Sequence, residues 1–173
     1  MSAKQDNSQN RIDTKRLTLY ALFVAAAMVF SYIESLVPLF FIAPGVKIGL
    51  ANAVSLLLAA KGRYKGAFAV NISRILLSAL LFGSAVSLVF SLSGGIISLI
   101  VTVLLHKTKL FGIVGISVAG AVTHNLVQLA AAVLLLGGGV LYYAPVLVVS
   151  GIVCGLALGT LDFVIIKKIK TNL

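Results

Sequence analysis

The residues of this sequence that could do chemistry are polar and ionisable side chains set within long apolar stretches. Asn71, Arg74 and Ser78 recur at spacings of three and four residues, which places them on one face of a helix. An ionisable group inside an apolar segment is costly, so by default it marks a functional site. Guanidinium and amide groups donate hydrogen bonds to anionic or polar groups, and this face therefore indicates ligand binding.

A second polar stripe follows the same spacing further along the chain. Ser117, Ala121, His124 and Gln128 step by four, three and four residues, and a third polar turn surrounds Glu34. Three polar stripes on otherwise apolar helices are expected to face inward and meet, which predicts a cavity in the outer half of the molecule that opens outward. The candidate substrate-binding residues are Glu34, Lys47, Asn52, Asn71, Arg74, Ser78, Ser91, His124, Asn125 and Gln128.

The charges among these candidates do not balance. One acid, Glu34, stands against two bases, Lys47 and Arg74. A bound anionic group would offset the remaining positive charge. Two alternatives stay open: Glu34 forms an internal ion pair with one of the bases, or His124 and Gln128 only join neighbouring helices by hydrogen bonds.

The sequence lacks the patterns of several enzyme classes. It has no G-x-x-x-x-G-K-[ST] loop for nucleotide hydrolysis. Its four acids, Asp6, Asp13, Glu34 and Asp162, are nowhere paired as D-D-x-x-D or N-D-x-x-D, the arrangement that would hold Mg²⁺ against a prenyl diphosphate. The single cysteine, Cys154, indicates neither a disulfide framework nor a metal site. We therefore expect binding without catalysis, and neither a cofactor nor a metal.

The elements that position these residues are predicted to be membrane-spanning helices. The chain is 60% apolar, against roughly 45–50% in soluble domains. All lysines and arginines except Lys47 and Arg74 fall into short clusters, and Asp162 is expected to offset the charge of Lys167 and Lys168. The clusters occupy residues 4–16, 61–65, 107–109 and 167–170. Basic clusters mark cytoplasmic loops, so this pattern predicts six helices with both termini inside a bacterial-type cytoplasmic membrane, and no nucleic-acid partner.

The apolar stretches set the expected lengths of the six spans. A span needs about 20 residues. The predicted spans cover about residues 17–37, 46–60, 66–82, 84–105, 110–136 and 140–166. A break at Gly83 and Ser84 is required, because an unbroken helix of about 40 residues would exceed a core roughly 30 Å thick. We expect an all-α membrane domain over 17–166, a disordered cytoplasmic tail over 1–16 and a basic tail over 167–173.

Small residues predict where helices approach closely. Gly151, Gly155 and Gly159 recur every four residues and form a groove on the last span, and Ala21 and Ala25 share a face of the first. Small residues let membrane helices pack backbone to backbone. Each group either packs within the protein or forms a surface for a partner.

Four motifs in order resemble the Gx transporter family, which is also catalogued as heptaprenyl diphosphate synthase component I. They are PGVKIGLAN at 44–52, NISRILLSALLFG at 71–83, SLSGG at 91–95 and AGAVTHNLVQL at 119–129. The resemblance covers about residues 16–165. That family is similar to the substrate-binding S components of energy-coupling factor (ECF) transporters.

The resemblance implies a fold and partners. S components are six-helix proteins with both termini inside and an outer substrate pocket, which the first outer loop, here 38–45, gates. They engage a transmembrane coupling subunit and two ATPases, often through an A-x-x-x-A pattern that Ala21 and Ala25 match. The implied cargo is a small anionic or amphipathic molecule of vitamin, isoprenoid or quinone-precursor type. Two other interpretations are a subunit of heptaprenyl diphosphate synthase in menaquinone biosynthesis and a solitary transporter.

Overall fold

The computed structural model describes residues 2–36 and 49–168, with side chains from residue 14 onward. Within these ranges the chain is all helical, as the sequence predicts. The helices are α1 (Ser2–Leu36), α2 (Leu50–Ala60), α3 (Tyr64–Phe82), α4 (Ala85–Thr108), α5 (Ile113–Leu136) and α6 (Ala144–Lys168), with a 3₁₀ turn at Gly138–Tyr143 before α6. Five segments are long and apolar enough to cross a membrane, and α2 alone among the described helices is shorter. The chain is thus a multi-pass membrane protein; the count of six spans and the orientation of the termini stay predictions.

The boundary between α3 and α4 lies where the length of a bilayer requires a break. Helix α3 ends at Phe82, and α4 begins at Ala85. The side chain of Ser84 accepts a hydrogen bond from the backbone N–H of Ser87 at 3.2 Å, so it caps the first turn of α4. A further break comes at Gly62, whose φ of 73° is readily adopted by glycine and ends α2.

Two boundaries differ from the sequence prediction. Helix α1 begins at Ser2, within the segment 1–16 for which composition predicts a disordered tail. That segment contains neither proline nor glycine, so nothing in it breaks a helix that continues from the apolar part of α1. Helix α2 begins at Leu50, and the predicted outer loop 38–45 lies outside the described residues.

Side-chain contacts group the helix termini into two ends of the bundle. The rings of Tyr32 and Phe82 lie 5.7 Å apart, so α1 ends where α3 ends. The hydroxyl of Tyr64 lies 3.0 Å from Nδ1 of His106, so α3 starts where α4 ends. We call these the Gly83 end and the Lys61 end; the basic clusters predict that the Lys61 end faces the cytoplasm.

Helix α2 occupies the centre of the bundle. It contacts every other described helix, and eight of its eleven residues are buried. Its Leu58 and Ala59 pack with Ala67 and Val70 of α3 in the apolar core. By contrast, α1 packs only on α2 and α3 within the described part of the chain, so a broad face of α1 lies on the outside.

Glycines bring α5 and α6 into direct backbone contact. A Cβ atom on Gly155 would lie 2.5 Å from the Cα of Val118, a separation that real side chains do not tolerate. A Cβ on Gly159 would lie 2.9 Å from the Cα of Val114, and Gly151 is nearly as confined. The groove predicted on the last span therefore packs inside the protein, against α5.

Candidate functional site

An interior cavity lies between α2, α3, α4, α5 and α6. Its polar wall is formed by Asn52, Ser55, Asn71, Ser98, Thr102, Ser117, His124, Asn125 and Cys154. No charged side chain of the described residues lines it. The centres of water-sized molecules have about 40 Å³ in which to move, and one water needs roughly 10–15 Å³. In this conformation the cavity accommodates a few water molecules in a neutral, hydrogen-bonding environment.

The cavity spans both halves of the bundle. At the Gly83 end its wall begins at Gly49, next to the Leu50 whose backbone N–H bonds Glu34, and Glu34 is two residues from the end of α1. At 1.5 Å per residue, Thr102 is about 9 Å from the end of α4 and Ser117 is about 6 Å from the start of α5. The cavity therefore extends from the Gly83 half, where the sequence predicts it, into the Lys61 half, and its opening to the outside stays a prediction.

Arg74 stands beside the cavity wall. Its Nη2 donates to Oδ1 of Asn71 at 2.7 Å and to Oδ1 of Asn52 at 3.1 Å, and its Nη1 donates to Oγ of Ser31 at 3.3 Å. Arg74 itself is buried and does not line the cavity, while Asn52 and Asn71 do. The guanidinium therefore joins α1, α2 and α3 and fixes two amides in the wall.

The glycine pair of the SLSGG motif lets large polar side chains enter the bundle. The Nδ2 of Asn71 donates to the backbone oxygen of Gly95 at 2.9 Å. A Cβ on Gly94 would lie 2.9 Å from the Cγ of Gln128 and 3.0 Å from Nδ1 of His124. A larger residue at Gly94 would displace polar side chains of α5, and one at Gly95 would displace Ile75 and crowd the amide of Asn71 on α3.

Three polar residues of α5 are buried but differ in their partners. Asn125 donates through Nδ2 to the backbone oxygen of Leu147 at 2.9 Å and to Oγ of Ser150 at 3.3 Å, so it links α5 to α6. His124 lines the cavity and is 4% exposed. Gln128 is 3% exposed, and neither its amide oxygen nor its amide nitrogen has a hydrogen-bond partner among the described residues.

The side chain of Glu34 binds the first turn of α2. Its Oε1 accepts the backbone N–H of Leu50 at 2.6 Å. A carboxylate at this position satisfies one of the unpaired N–H groups of a helix start and complements the helix dipole. Among the described residues this contact ties α1 to α2 beside the Asn52 that Arg74 holds.

Five further candidates lie away from the cavity wall or outside the described residues. Ser78 donates to Sδ of Met28 at 3.3 Å, which links α3 to α1, and Ser91 is half-buried on α4. Lys47 lies outside the described residues. Ala21 and Ala25 are both exposed on the outer face of α1, where a partner could reach them.

The cavity wall includes residues that are not among the candidate substrate-binding residues. Ser117 belongs to the polar stripe predicted on α5, and the others are Ser55, Ser98, Thr102 and Cys154. Ser98 and Thr102 each donate to a backbone oxygen of their own helix, at 3.3 and 2.8 Å, and Ser55 Oγ has no partner among the described residues. Helical spacing was the available signal, because Ser98 and Thr102 are four residues apart and Ser55 follows Asn52 by three.

Asp162 faces the interior. It is 2% exposed, whereas Lys167 and Lys168 are exposed, so the expected pairing with these lysines is corrected. Five and six residues separate Asp162 from them, and such spacings do not share a helix face. Among the described residues no cluster of three His, Cys, Asp or Glu side chains could hold a metal ion.

Comparison with known proteins gives one match. The family model described as heptaprenyl diphosphate synthase component I matches residues 23–164, which include every residue that lines the cavity. Neither the curated proteins nor the solved structures give a match.

Proposed function

The chain belongs to the family described as heptaprenyl diphosphate synthase component I, and from that premise and the interior cavity we propose that it is the substrate-binding component of an ECF-type importer. The observation that carries the proposal is the neutral polar wall contributed by five helices inside an apolar bundle. Buried amides, hydroxyls and an imidazole are costly in a membrane protein unless they bind something. A capture site for a small molecule gives them that role.

The wall favours the uncharged polar part of an amphipathic cargo, in the vitamin or isoprenoid and quinone-precursor classes. Hydroxyls and amides can both donate and accept hydrogen bonds, and no described charged residue lines the cavity. An anionic group would reach Arg74 only past Asn52 and Asn71, which already hold the guanidinium.

Substrate binding requires the helices to separate. Ligand pockets have volumes of about 300–1,000 Å³, far more than this conformation offers. The α5–α6 contact is held by direct backbone packing at Gly155 and Gly159. The contacts of α2 with α5 are far sparser, so we expect the cavity to widen between α2 and α5.

Energy for import would come from partners. The sequence has no nucleotide-hydrolysis loop of the G-x-x-x-x-G-K-[ST] type. The exposed Ala21 and Ala25 lie on α1, which leaves its outer face uncovered, and small residues there suit close approach by a helix of a coupling subunit. ATPase subunits would complete the assembly.

Purification in mild detergent followed by mass spectrometry tests this proposal. We expect a retained small molecule and a co-purifying coupling module. Asn71→Leu should reduce ligand retention about tenfold, since one amide contact is worth about 1.4 kcal/mol. Thr160→Val is the matched control, because Thr160 is exposed on α6 and its hydroxyl bonds only its own helix. Absence of both ligand and module would refute the proposal, and uptake into proteoliposomes without ATPases would indicate a solitary transporter.

A subunit of heptaprenyl diphosphate synthase is the second candidate, and the family description favours it. Its test is chain elongation with labelled isopentenyl diphosphate, with and without a soluble partner. Elongation that requires this chain and disappears in Arg74→Ala would support the synthase function over import.

A further inference from the structure

A second concave site lies at the Lys61 end, between the end of α4 and the starts of α3 and α5. We call it the Tyr64 groove; its side-chain wall is Tyr64, His106, Lys107, Lys109, Phe111 and Phe163. It offers about 500 Å³, more than ten times the space in the interior cavity. The two sites share no lining residue, so the groove is independent of the proposed capture site.

The basic side of the groove is held in place by contacts between its own residues. Lys107 places its Nζ 5.4 Å from the ring centroid of Tyr64, within the range of a cation–π contact. The Tyr64 hydroxyl in turn lies 3.0 Å from Nδ1 of His106. Lys109 ends α4 with φ 57°, a left-handed conformation that turns the chain toward α5.

The other side of the groove is apolar and partly uncovered. Phe111 is 52% exposed and Phe163 is 49% exposed, and Ile116 forms part of the floor. These residues lie at the ends of segments that are apolar enough to cross a membrane. In a bilayer this wall would face acyl chains near the headgroup level.

Charge in the groove has one sign. Two lysines line it, and no aspartate or glutamate of the described residues does. Asp162, the neighbour of Phe163 in sequence, is buried. Two cations beside an exposed aromatic wall complement a molecule that has an anionic head and an apolar tail.

We propose that the Tyr64 groove binds an anionic phospholipid of the adjoining leaflet. Lys107 and Lys109 contact the headgroup phosphate, and an acyl chain lies along Phe111 and Phe163. Basic pockets between membrane helices commonly hold such headgroups. A soluble phosphate would use the lysines but not the aromatic wall, which is why a lipid is the better occupant.

Native mass spectrometry of the full-length protein, exchanged into phosphatidylglycerol or phosphatidylcholine nanodiscs, tests the site. We expect one retained phosphatidylglycerol and no equivalent phosphatidylcholine. Each lysine near an anionic headgroup contributes about fivefold in affinity, so Lys107→Ala with Lys109→Ala should weaken retention roughly 25-fold. Phe111→Ala should weaken phosphatidylglycerol retention but leave any binding of soluble glycerol phosphate unchanged.

The matched control replaces Lys15 and Arg16, two exposed basic residues on α1, which makes no contact with α4 or α5 in the described part of the chain. This double variant should retain phosphatidylglycerol like the parent. If both double variants lost phosphatidylglycerol to the same extent, the effect would come from general surface charge, and the proposed site would be wrong. Equal retention of the two lipids by the parent, or soluble glycerol phosphate binding as tightly as the lipid, would overturn it without any variant.

Discussion

Helix α5 has two different sides. On the side of α6 its backbone packs directly against a row of glycines, whereas on the side of α2 and α4 its polar side chains line the cavity. On the first side, Gly155 brings the two helices so close that no Cβ fits. On the second side, His124 and Asn125 border space for water. Direct packing at the first interface is rigid, because any separation loses all its contacts at once.

The interface of α5 with α2 and α4, around the cavity, can change its hydrogen-bond partners. The hydroxyls, amides and imidazole in the wall can bond either to water or to a ligand, because these groups donate or accept hydrogen bonds with many partners. Gln128 has no hydrogen-bond partner among the described residues, and such a group lowers stability in the empty state. The comparison predicts that the α5–α6 contact, the glycine side, contributes most to the stability of the protein. The polar wall of the cavity, the cavity side, is predicted to lower stability in the empty protein and to bind the ligand.

The largest effect is expected at Arg74, which makes three side-chain hydrogen bonds beside the cavity. Arg74→Met removes three hydrogen bonds and leaves the amide oxygens of Asn52 and Asn71 without this donor. We expect a loss of about 4.5 kcal/mol in the free energy of unfolding, because each of the three bonds from a charged donor is worth at least roughly 1.5 kcal/mol. Reversible unfolding in mixed micelles, followed by circular dichroism, measures it.

Arg74→Lys separates the charge from the geometry of the guanidinium. An ammonium retains the charge but cannot hold Ser31, Asn52 and Asn71 in the same planar arrangement. We expect it to recover less than half of the lost stability. Full recovery would show that charge alone matters, and that the proposed bracing of the two amides is wrong.

The next effect tests the glycine side. Gly155→Val places a branched side chain where Val118 Cα leaves 2.5 Å, so α5 and α6 must separate. Overpacking of this kind costs about 3 kcal/mol. Gly115→Ala is the control, since a Cβ there meets only the Phe111 ring and Cβ at 3.9 Å or more. Similar unfolding midpoints for both variants would contradict the rigid interface.

The sequence was informative where local rules decide structure. The length of a bilayer required the break at Gly83, and the chain indeed ends α3 there and starts α4 at Ala85. It was less informative where helix rotation decides. Arg74 has the spacing of a ligand-binding residue, but whether a guanidinium lines a cavity or braces its wall depends on where α2 stands between α1 and α3. That position comes from packing across the bundle, which spacing along one helix does not encode.

The same limit explains why the extent of the cavity toward the Lys61 end could not be predicted. Polar residues counted along each span are most frequent toward the Gly83 end, and this frequency predicts only the part of the cavity that begins at Gly49. Ser98, Thr102 and Ser117 are fewer but converge, because a Cβ on Gly120 would lie 2.7 Å from Thr102 Oγ1 and the glycine therefore lets α4 and α5 approach. Which side chains converge depends on how the helices pack, and the number of polar residues along one helix does not determine it.

A smaller effect is expected at Asn125, which belongs to both sides of the comparison. It lines the cavity and also bonds Leu147 and Ser150 of α6. Hydrogen bonds between membrane helices average about 0.6 kcal/mol and reach about 1.7, so Asn125→Leu should cost about 1.5 kcal/mol. A double-mutant cycle with Ser150→Ala measures the coupling energy between Asn125 and Ser150. A coupling energy of zero would show that the Asn125–Ser150 bond does not stabilise the α5–α6 contact.

The smallest effect, and the one of opposite sign, is expected at Gln128. Its side chain is buried, with Cγ against Gly94, and its amide has no hydrogen-bond partner among the described residues. Gln128→Leu therefore removes an uncompensated desolvation cost at similar volume. Unfolding in micelles should show a gain of up to about 1 kcal/mol. If the amide meets the cargo when the cavity widens, the same variant should retain less of the co-purified ligand. Higher stability with unchanged retention would assign Gln128 to packing, and lower stability would show that its amide is bonded in the empty protein. Only a gain in stability coupled to a loss of ligand fits a residue whose partner is the substrate.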